Sequence, residues 1–377
     1  LIARGGPEGQ RWAAAQAAGL LAQGLLPAPE AVEALGVDLV MGTADRMGFL
    51  DALEALSPDG GHPVVRVDDA LRRRQYEHLP AGGLEGRTRA MLKVEDGCVN
   101  FCTYCIIPYA RGPIRSLPLG EAACEAKRLA GAGYRELVLT GIEISSWGHD
   151  LKNGQGLIDL VEAVCAAAPE CRVRLGSLEP RTVTEDFCRR AAALPNLCPH
   201  FHLSMQSGCD ATLKRMNRKY TAEEYKHKCD LLRKVYGNPA LTTDVIVGFP
   251  QESEEEFEES RAFVEDIHFF ETHIFKYSRR EGTRAAAMAG QIPEQEKTKR
   301  SHVLLELDER RRQEYMEGFL GKELEVLMEE EVEIDGVHYW TGHTREYLRV
   351  AVLSEENLMN QMVLVTPARI HGKDCLM

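Results

Sequence analysis

The sequence predicts an α/β protein: a partial, open (β/α)6 barrel, with a small β-barrel after it and an α/β remnant before it. From residue 87 onward, short β-rich runs alternate with longer amphipathic runs, and several of the amphipathic runs begin with helix-start signals. From about residue 320 the pattern changes to short strands and turns. A chain of 377 residues, 44% of them hydrophobic, can bury one large core and a smaller second one. We therefore predict domains at residues 1–84, 85–318 and 319–377.

Six β-rich runs make up the predicted barrel. Strands that alternate with helices favour a parallel sheet with crossover helices, and six units are two short of the eight of a closed barrel. In such a barrel the chemistry collects at the carboxyl ends of the strands. The six runs are residues 89–95, 136–140, 172–177, 200–205, 241–247 and 272–277.

Helix-start signals lie between these runs. Capping boxes are predicted at residues 182–185, 221–224 and 253–256, because a hydroxyl and a glutamate three residues later can satisfy free N–H groups. Pro118 and Pro293 are predicted as first helical residues, where the missing N–H is tolerated.

The two ends of the chain carry weaker patterns. Asp335-Gly336 predicts a two-residue hairpin turn. Strands are predicted at residues 323–333, 337–341, 347–352 and 361–370, which together suggest a small β-barrel. Near the amino end we predict a strand at residues 37–41 and a helix at 45–56.

Composition restricts the compartment and the class of protein. The eleven cysteines are an odd number with no secretion signal, which argues against a disulfide framework and for a reducing cytoplasm. No apolar run is long enough to cross a bilayer, so no membrane partner is expected. The net charge of −13 opposes long-range attraction to phosphate and would not by itself indicate nucleic acid.

The chemistry is concentrated in Cys98-x-x-x-Cys102-x-x-Cys105, directly after the first barrel strand. Three thiolates on one short loop can hold three irons of a [4Fe–4S] cubane and leave the fourth iron open. The alternatives are a zinc site lacking one ligand and a chance cluster, but zinc usually takes two cysteine pairs and no second CxxC occurs. Tyr104 could lie near an adenine or could simply pack.

Several motifs give a resemblance to a known family. Residues 97–112 resemble the cluster loop of the radical S-adenosylmethionine (SAM) methylthiotransferases. The similarity continues through LTGIE (139–143), GSLEP (176–180), HFHLSMQSG (200–208), LKRMNR (213–218), TDVIVGFP (243–250) and YSRREGT (277–283). The module with GHTREY (342–347) is similar to the TRAM domain with which that family holds tRNA. The GIE and SLEP segments look most like the branch that acts on threonylcarbamoyladenosine at tRNA position 37.

The resemblance implies a cofactor set and a group of site residues. SAM bound to the open iron would give a 5′-deoxyadenosyl radical, with the electron supplied by a donor such as flavodoxin or ferredoxin. Cys98, Cys102 and Cys105 would ligate the cluster. SAM would be bound by residues at or near strand ends, namely Tyr104, Gly141, Glu143, Ser177, Glu179 and Gln206. For each of these six residues taken alone, the alternative to SAM binding is a position on the solvated surface or in the packed core.

The family also uses an auxiliary [4Fe–4S] cluster on three amino-terminal cysteines, which handles the inserted sulfur. This sequence has no cysteine before Cys98, and Leu20 stands where the family's Gly-Cys-x-Ala-Gln has its cysteine. A leucine cannot ligate iron, and the two earlier cysteines would precede Leu1. We therefore expect this chain to cleave SAM but to transfer little or no methylthio group to tRNA.

The implied partner is the anticodon stem–loop of tRNA. Phosphate or base contacts are expected from Lys276, Arg279, Arg280, Tyr339, Trp340 and Tyr347, although core packing is the alternative for at least two of the three aromatics. The leading hypothesis is a methylthiotransferase acting on threonylcarbamoyladenosine at position 37. The alternatives are a radical SAM enzyme of this lineage without sulfur transfer or with a non-tRNA substrate, and a degenerate tRNA-binding module.

Overall fold

The computed structural model describes residues 2–3, 37–43, 45–46, 48–56, 64–79 and 87–377. The strands are β1 Ile2–Ala3, β2 Val37–Met41, β3 Val64–Arg66, β4 Arg89–Lys93, β5 Glu95–Asp96, β6 Arg115–Ser116, β7 Glu136–Thr140, β8 Arg172–Leu175, β9 His200–His202, β10 Ala240–Val247, β11 Glu271–Lys276, β12 Leu324–Ile334, β13 Val337–Thr344, β14 Arg349–Val352, β15 Met362–Val365, β16 Ile370–His371 and β17 Cys375–Leu376. The α-helices are α1 Phe49–Glu54, α2 Ile107–Arg111, α3 Leu119–Gly131, α4 Leu157–Ala167, α5 Glu185–Ala192, α6 Asp210–Arg215, α7 Ala222–Tyr236, α8 Glu254–Ile267 and α9 Glu294–Glu317.

The chain divides into two compact units. The first comprises residues 1–80, 96–115 and 278–288, and the second comprises residues 81–95, 116–277 and 289–377. In the first unit β2 pairs antiparallel with β1 and parallel with β3, which confirms the predicted strand at 37–41. The predicted helix at 45–56 is shorter, because Asp45 adopts a positive φ of 53° and α1 begins only at Phe49. The domain boundaries at 84 and 318 stay a prediction.

The second unit contains the six barrel strands, all parallel and in chain order. They form two three-stranded sheets, β4–β7–β8 and β9–β10–β11. The two sheets are linked where Leu178 N–H donates to the His202 carbonyl (2.8 Å) and Ser204 N–H donates to the Leu178 carbonyl (3.0 Å). Helices lie between successive strands, as the alternation predicted. Within the described residues, no helix is both long and apolar enough to cross a bilayer.

The helix-start predictions are confirmed at two positions and wrong at others. Thr221 and Ser253 form capping boxes at the starts of α7 and α8. The capping box predicted at 182–185 is wrong, because residues 180–182 form a 3-10 turn and Thr184 caps α5 instead. Pro118 and Pro293 are not first helical residues but lie one position earlier, as the N-caps of α3 and α9.

The carboxyl-terminal strands form one six-stranded sheet in the order β15–β12–β13–β14–β17–β16. The predicted hairpin turn is confirmed, since Asp335 and Gly336 have φ values of 51° and 78° between β12 and β13. The sheet shares an apolar core with α9 and with the amino ends of two barrel strands. This core includes Phe270, Met316, Phe319, Val326, Met328, Leu348, Val350 and Leu376.

One irregularity interrupts the long hairpin of β12 and β13. Met328 pairs with Gly342 and Glu330 pairs with Thr341, so Glu329 is an additional residue in β12. Such a β-bulge changes the direction in which the extra side chain, here that of Glu329, points. The strands approach closely here, because a Cβ on Gly342 would lie 2.0 Å from the Leu327 carbonyl oxygen.

Candidate active site

The cysteine loop in the first unit is shaped by its backbone. Gly97 has a φ of 100°, and a Cβ there would lie 2.0 Å from the Pro113 carbonyl oxygen, so only glycine fits. Cys98 N–H donates to the Gly112 carbonyl at 3.0 Å, which closes the loop. Cys105 N–H donates to the Cys102 carbonyl at 3.0 Å, which forms a tight turn between two of the three cysteines.

The three cysteines are half-buried and form no disulfide. Asn100 N–H points at the Cys98 sulfur at 3.5 Å, as N–H groups do around thiolate ligands. The Thr103 carbonyl accepts a hydrogen bond from Ala285 N–H at 2.8 Å, so a second segment of the same unit supports the loop. Three accessible thiols on one braced loop fit the donor set of a [4Fe–4S] cluster with one open iron.

The sequence analysis missed the buried carboxylate of Asp96, which lies just before the cysteine loop. Asp96 lies within 3.5 Å of Arg46, 3.6 Å of Arg111 and 3.3 Å of Arg115. Arg115 also donates to the carbonyls of Arg111 (2.9 Å) and Pro113 (2.7 Å). These contacts tie both ends of the cysteine loop together. An acidic residue two positions before a cysteine motif, with arginines just after it, is the only sequence signal for this arrangement.

At the carboxyl end of the first two barrel strands, Glu95 organises the backbone that follows β7. Its Oε2 accepts hydrogen bonds from Ile142 N–H (2.9 Å) and Glu143 N–H (2.8 Å). A Cβ on Gly141 would lie 2.8 Å from the same oxygen, so the close approach needs glycine. The glycine at this position thus makes room for the Glu95 carboxylate, and the contact of Gly141 with SAM stays a prediction.

Ser145 links the two segments that carry the predicted carboxylates Glu143 and Glu179. Glu143 accepts from Ser145 N–H at 3.0 Å and from the Ser146 hydroxyl, which caps the turn at residues 144–146. Glu179 N–H donates to the Ser145 hydroxyl oxygen at 2.8 Å. The Glu179 carboxylate accepts from Arg181 N–H (3.0 Å) and Nε (2.8 Å). Both carboxylates are thus oriented by short local turns at the ends of adjacent strands.

The remaining predicted SAM contacts are less closely linked. Gln206 is buried at a φ of 73°, and its backbone pairs with β10: its N–H donates to the Asp244 carbonyl at 2.8 Å and its carbonyl accepts from Ile246 N–H at 2.9 Å. Ser177 is exposed, and Tyr104 in the first unit is half-buried. The roles of all these residues toward SAM stay predictions.

The amino ends of β4, β7 and β8 carry a buried charge network. Glu136 is fully buried and pairs with Arg172 Nε and with Arg174 Nε, the latter at 3.0 Å, while Arg89 Nε lies 3.5 Å away. Burial alone would raise the pKa of Glu136, but Arg174, Arg172 and Arg89 outweigh it and hold the pKa far below its usual range. Burial, and then Arg174, lower the pKa of the neighbouring His200, so this imidazole is neutral.

Tyr347 joins this network to the carboxyl-terminal sheet. Its hydroxyl accepts from Arg89 Nη1 at 2.9 Å, and the guanidinium groups of Arg89 and Arg174 lie 5.2 and 4.8 Å from its ring centroid. His343 stacks on the ring at 4.6 Å. Glu329, at the bulge, pairs with both Arg89 and His343. For Tyr347 the packing alternative therefore has direct structural support, and base stacking stays a prediction.

The other predicted RNA contacts lie on exposed or half-buried surface. Lys276, which pairs with Glu294, and Arg279 and Arg280 are exposed. Trp340 packs against the core of the carboxyl-terminal sheet, as the packing alternative states. Tyr339, its neighbour on β13, is half-buried.

Comparison with known proteins identifies the class of protein. The model of the Radical SAM superfamily matches residues 92–264. In fold, the chain is similar to the radical SAM methyltransferase TsrM from Kitasatospora setae, with a TM-score of 0.55 and 16% identity over 71% of this chain and 56% of that one. This likeness supports a partial-barrel fold of the radical SAM type.

Curated relatives narrow the family. The chain is 37% identical to threonylcarbamoyladenosine tRNA methylthiotransferase MtaB of Bacillus subtilis, over 88% of this chain and 73% of that protein. It is 38% identical to the protein of the same name from Thermotoga maritima, over 80% and 68% of the two chains. Identity is 35% to the tRNA-2-methylthio-N(6)-dimethylallyladenosine synthase of Desulfitobacterium hafniense, over 87% and 72%. The chain belongs to the radical SAM methylthiotransferase family, and within it is MtaB-like; it is an enzyme of this class, with a [4Fe–4S] cluster and SAM as cofactors.

Proposed function

We propose that this enzyme methylthiolates N6-threonylcarbamoyladenosine at position 37 of tRNA. The observation that carries the proposal is the braced loop with three accessible thiols, in a chain 37% identical to a protein named for this reaction. When bound, the cluster and SAM supply a 5′-deoxyadenosyl radical. Cys98, Cys102 and Cys105 would hold the cluster.

The strand-end carboxylates would orient SAM. Glu143 and Glu179 accept hydrogen bonds from N–H groups of their own turns, which fixes each side chain in place. A carboxylate oriented in this way attracts an ammonium group such as that of the methionyl part of SAM. Gln206, buried in the third of these strand-end positions, offers an amide for a polar contact.

We further propose that the carboxyl-terminal sheet is a TRAM-like module that binds the anticodon stem–loop. Residues 321–377 contain five Lys/Arg and eleven Asp/Glu, so general attraction to phosphate is weak. Binding would depend on individual contacts from Tyr339 and Trp340, and from the exposed Lys276, Arg279 and Arg280. The enzyme would act in the cytoplasm with a flavodoxin or ferredoxin as electron donor.

The reaction is tested anaerobically with dithionite, SAM and tRNA that carries threonylcarbamoyladenosine. The proposal expects both 5′-deoxyadenosine and a methylthio nucleoside, measured by mass spectrometry. Cys124→Ala is the matched control, because Cys124 is an exposed thiol on α3 outside the loop. If neither product forms with a fully reconstituted cluster, the proposal is wrong and a tRNA-binding module is favoured.

A second candidate function is SAM cleavage without sulfur insertion. It is favoured by Leu20, which stands at a position where the family has a cysteine and which lies outside the described residues. In the same assay this candidate expects 5′-deoxyadenosine but no methylthio nucleoside.

RNA binding is tested separately with a labelled anticodon stem–loop. Arg280→Ala should weaken binding about threefold or more and reduce its salt dependence, because one phosphate contact is lost. Lys234→Ala is the control, since Lys234 is also an exposed cation and lies on α7. Equal affinities for the Arg280 and Lys234 variants would place the RNA contacts elsewhere.

A further inference from the structure

Three potential ligand side chains lie side by side on the last three barrel strands. His202 on β9, Asp244 on β10 and His273 on β11 each offer one ligand atom, and these atoms all lie within 4.8 Å of one another. The strand register explains this: His202 pairs with Thr242, and Asp244 pairs with His273. Neighbours in a parallel sheet that are in register, or two residues apart, project from the same face.

That face is the one turned away from the helices. Thr243, next to Asp244, projects to the other side, where its hydroxyl donates to the Leu203 carbonyl (2.6 Å) and lies 3.3 Å from the Tyr225 hydroxyl of α7. Because side chains alternate along a strand, Asp244 points into the barrel. His273 is exposed, so solvent and small ions can reach this position.

The orientation of His202 suits a metal ligand. Its Nδ1 lies 2.9 Å from the Thr242 hydroxyl, and its Nε2 lies 3.2 Å from Asp244 Oδ2. A hydroxyl partner on one ring nitrogen fixes the ring and leaves the other nitrogen directed at the site, as in many protein metal centres. The His273 ring stacks on His202 with centroids 5.5 Å apart, which brings a second imidazole to the same place.

We propose that His202, Asp244 and His273 form a binding site for a divalent transition-metal ion of the zinc type, inside the barrel and without a ligand from the cysteine loop. Two imidazoles and one carboxylate are a common donor set for Zn²⁺ and leave a coordination position open. Magnesium and calcium prefer sites made of oxygen ligands and fit this set poorly. A His–Asp hydrogen bond alone would account for His202 and Asp244 but not for the in-register placement of His273.

The test uses the full chain with its iron–sulfur cluster reconstituted, so that the loop cysteines are occupied. Titration with Zn²⁺ by calorimetry should show one site per chain. His273→Gln and Asp244→Asn should each weaken Zn²⁺ binding at least tenfold. His227→Gln, at an exposed position on α7, is the matched control and should bind as the parent does.

X-ray absorption at the zinc edge provides a readout that does not depend on any variant. The proposal expects nitrogen and oxygen neighbours with imidazole scattering and no sulfur. Sulfur neighbours, the absence of a bound zinc, or equal affinity in the His273, Asp244 and His227 variants would each overturn the assignment. Thermal unfolding of each variant checks that a loss of binding is not a loss of fold.

Discussion

The cysteine loop and the amino end of the barrel use polar groups in opposite ways. The loop keeps three thiols half-exposed and shapes them with backbone hydrogen bonds and a glycine at positive φ. The amino end buries Glu136 completely and surrounds it with three arginines, two of which lie over the ring of Tyr347. The first arrangement leaves ligand atoms available, whereas the second satisfies its charges internally. Substitutions in the two regions should therefore separate activity from stability.

The largest effect is expected in the loop. Cys102→Ala should lower SAM cleavage at least a hundredfold and remove the reduced-cluster signal in electron paramagnetic resonance, because a cubane needs all three thiolates here. The free energy of unfolding of the apoprotein should change by less than about 1 kcal/mol, since the side chain is small and half-buried. An unchanged cluster signal in this variant, with Cys124→Ala as control, would contradict the ligand assignment.

At the amino end of the barrel we expect the opposite result: a large loss of stability with little loss of activity. Glu136→Gln should destabilise the protein by about 3–5 kcal/mol, because it leaves buried arginines without their counter-charge. Activity per folded molecule should change little. Urea unfolding monitored by circular dichroism measures the loss, and Glu306→Gln, an exposed glutamate on α9, is the control.

The sign of the pH dependence follows from the depressed pKa of Glu136. Its stabilising contribution is fully present above its ordinary pKa of 4.5 and is lost as the pH falls towards the lower folded-state value. The difference in stability between the parent and Glu136→Gln should therefore shrink in acid. A difference that stays constant from pH 7 to pH 3 would show that the ion pairs do not cause it.

Tyr347 tests the difference between functional and stabilising residues directly. It was predicted to contact RNA, but it lies in the charge network at the amino end of the barrel. Tyr347→Phe should cost about 1 kcal/mol, through loss of the hydrogen bond from Arg89, and Tyr347→Ala about 3 kcal/mol. If the residue only packs, Tyr347→Phe should bind the anticodon stem–loop as tightly as the parent. Weaker RNA binding by the phenylalanine variant, measured under conditions in which it is fully folded, would restore the RNA-contact prediction.

The smallest effect concerns Asp308 on α9, whose carboxylate accepts from Thr272 N–H. Burial raises its pKa to about 6, so the ionised form costs stability above that pH and the cost disappears as the pH falls below the ordinary value of 3.8. Asp308→Asn should stabilise the protein by about 1 kcal/mol at pH 8 and by less at pH 5. Thermal unfolding at the two pH values measures this, and equal gains would contradict it.

The barrel strands could be predicted because strand and helix periodicities differ and local capping signals are strong. All six predicted strands are present, and the turn at Asp335-Gly336 is confirmed. The capping box at Thr182 was wrong because Glu179 forms a competing turn just before it. Local patterns hold where one interaction dominates and fail where two compete for the same backbone groups.

The polar groups inside the barrel could not be predicted in the same way. Glu136, Arg172 and Arg174 were each placed correctly on strands, but their pairing depends on which residues are in register between β7 and β8. The same holds for His202, Asp244 and His273, which are far apart in sequence. The pattern of a single sequence indicates where the strands lie but not which residues pair between them. The three cysteines could be found because they lie in one short loop.

The additional residue in β12 has a consequence for attempts to exchange parts among related enzymes. Glu329 interrupts the ladder, and its side chain reaches Arg89 at the start of the barrel. Deleting it would restore a regular hairpin with the same pairs, since Met328 and Glu330 face neighbouring residues of β13, but it would remove the carboxylate that pairs with Arg89 and His343. A carboxyl-terminal sheet transplanted onto another barrel would thus need both the inserted glutamate and an arginine opposite it. Chimeras designed by aligning strands alone would leave one member of this ion pair without its counter-charge.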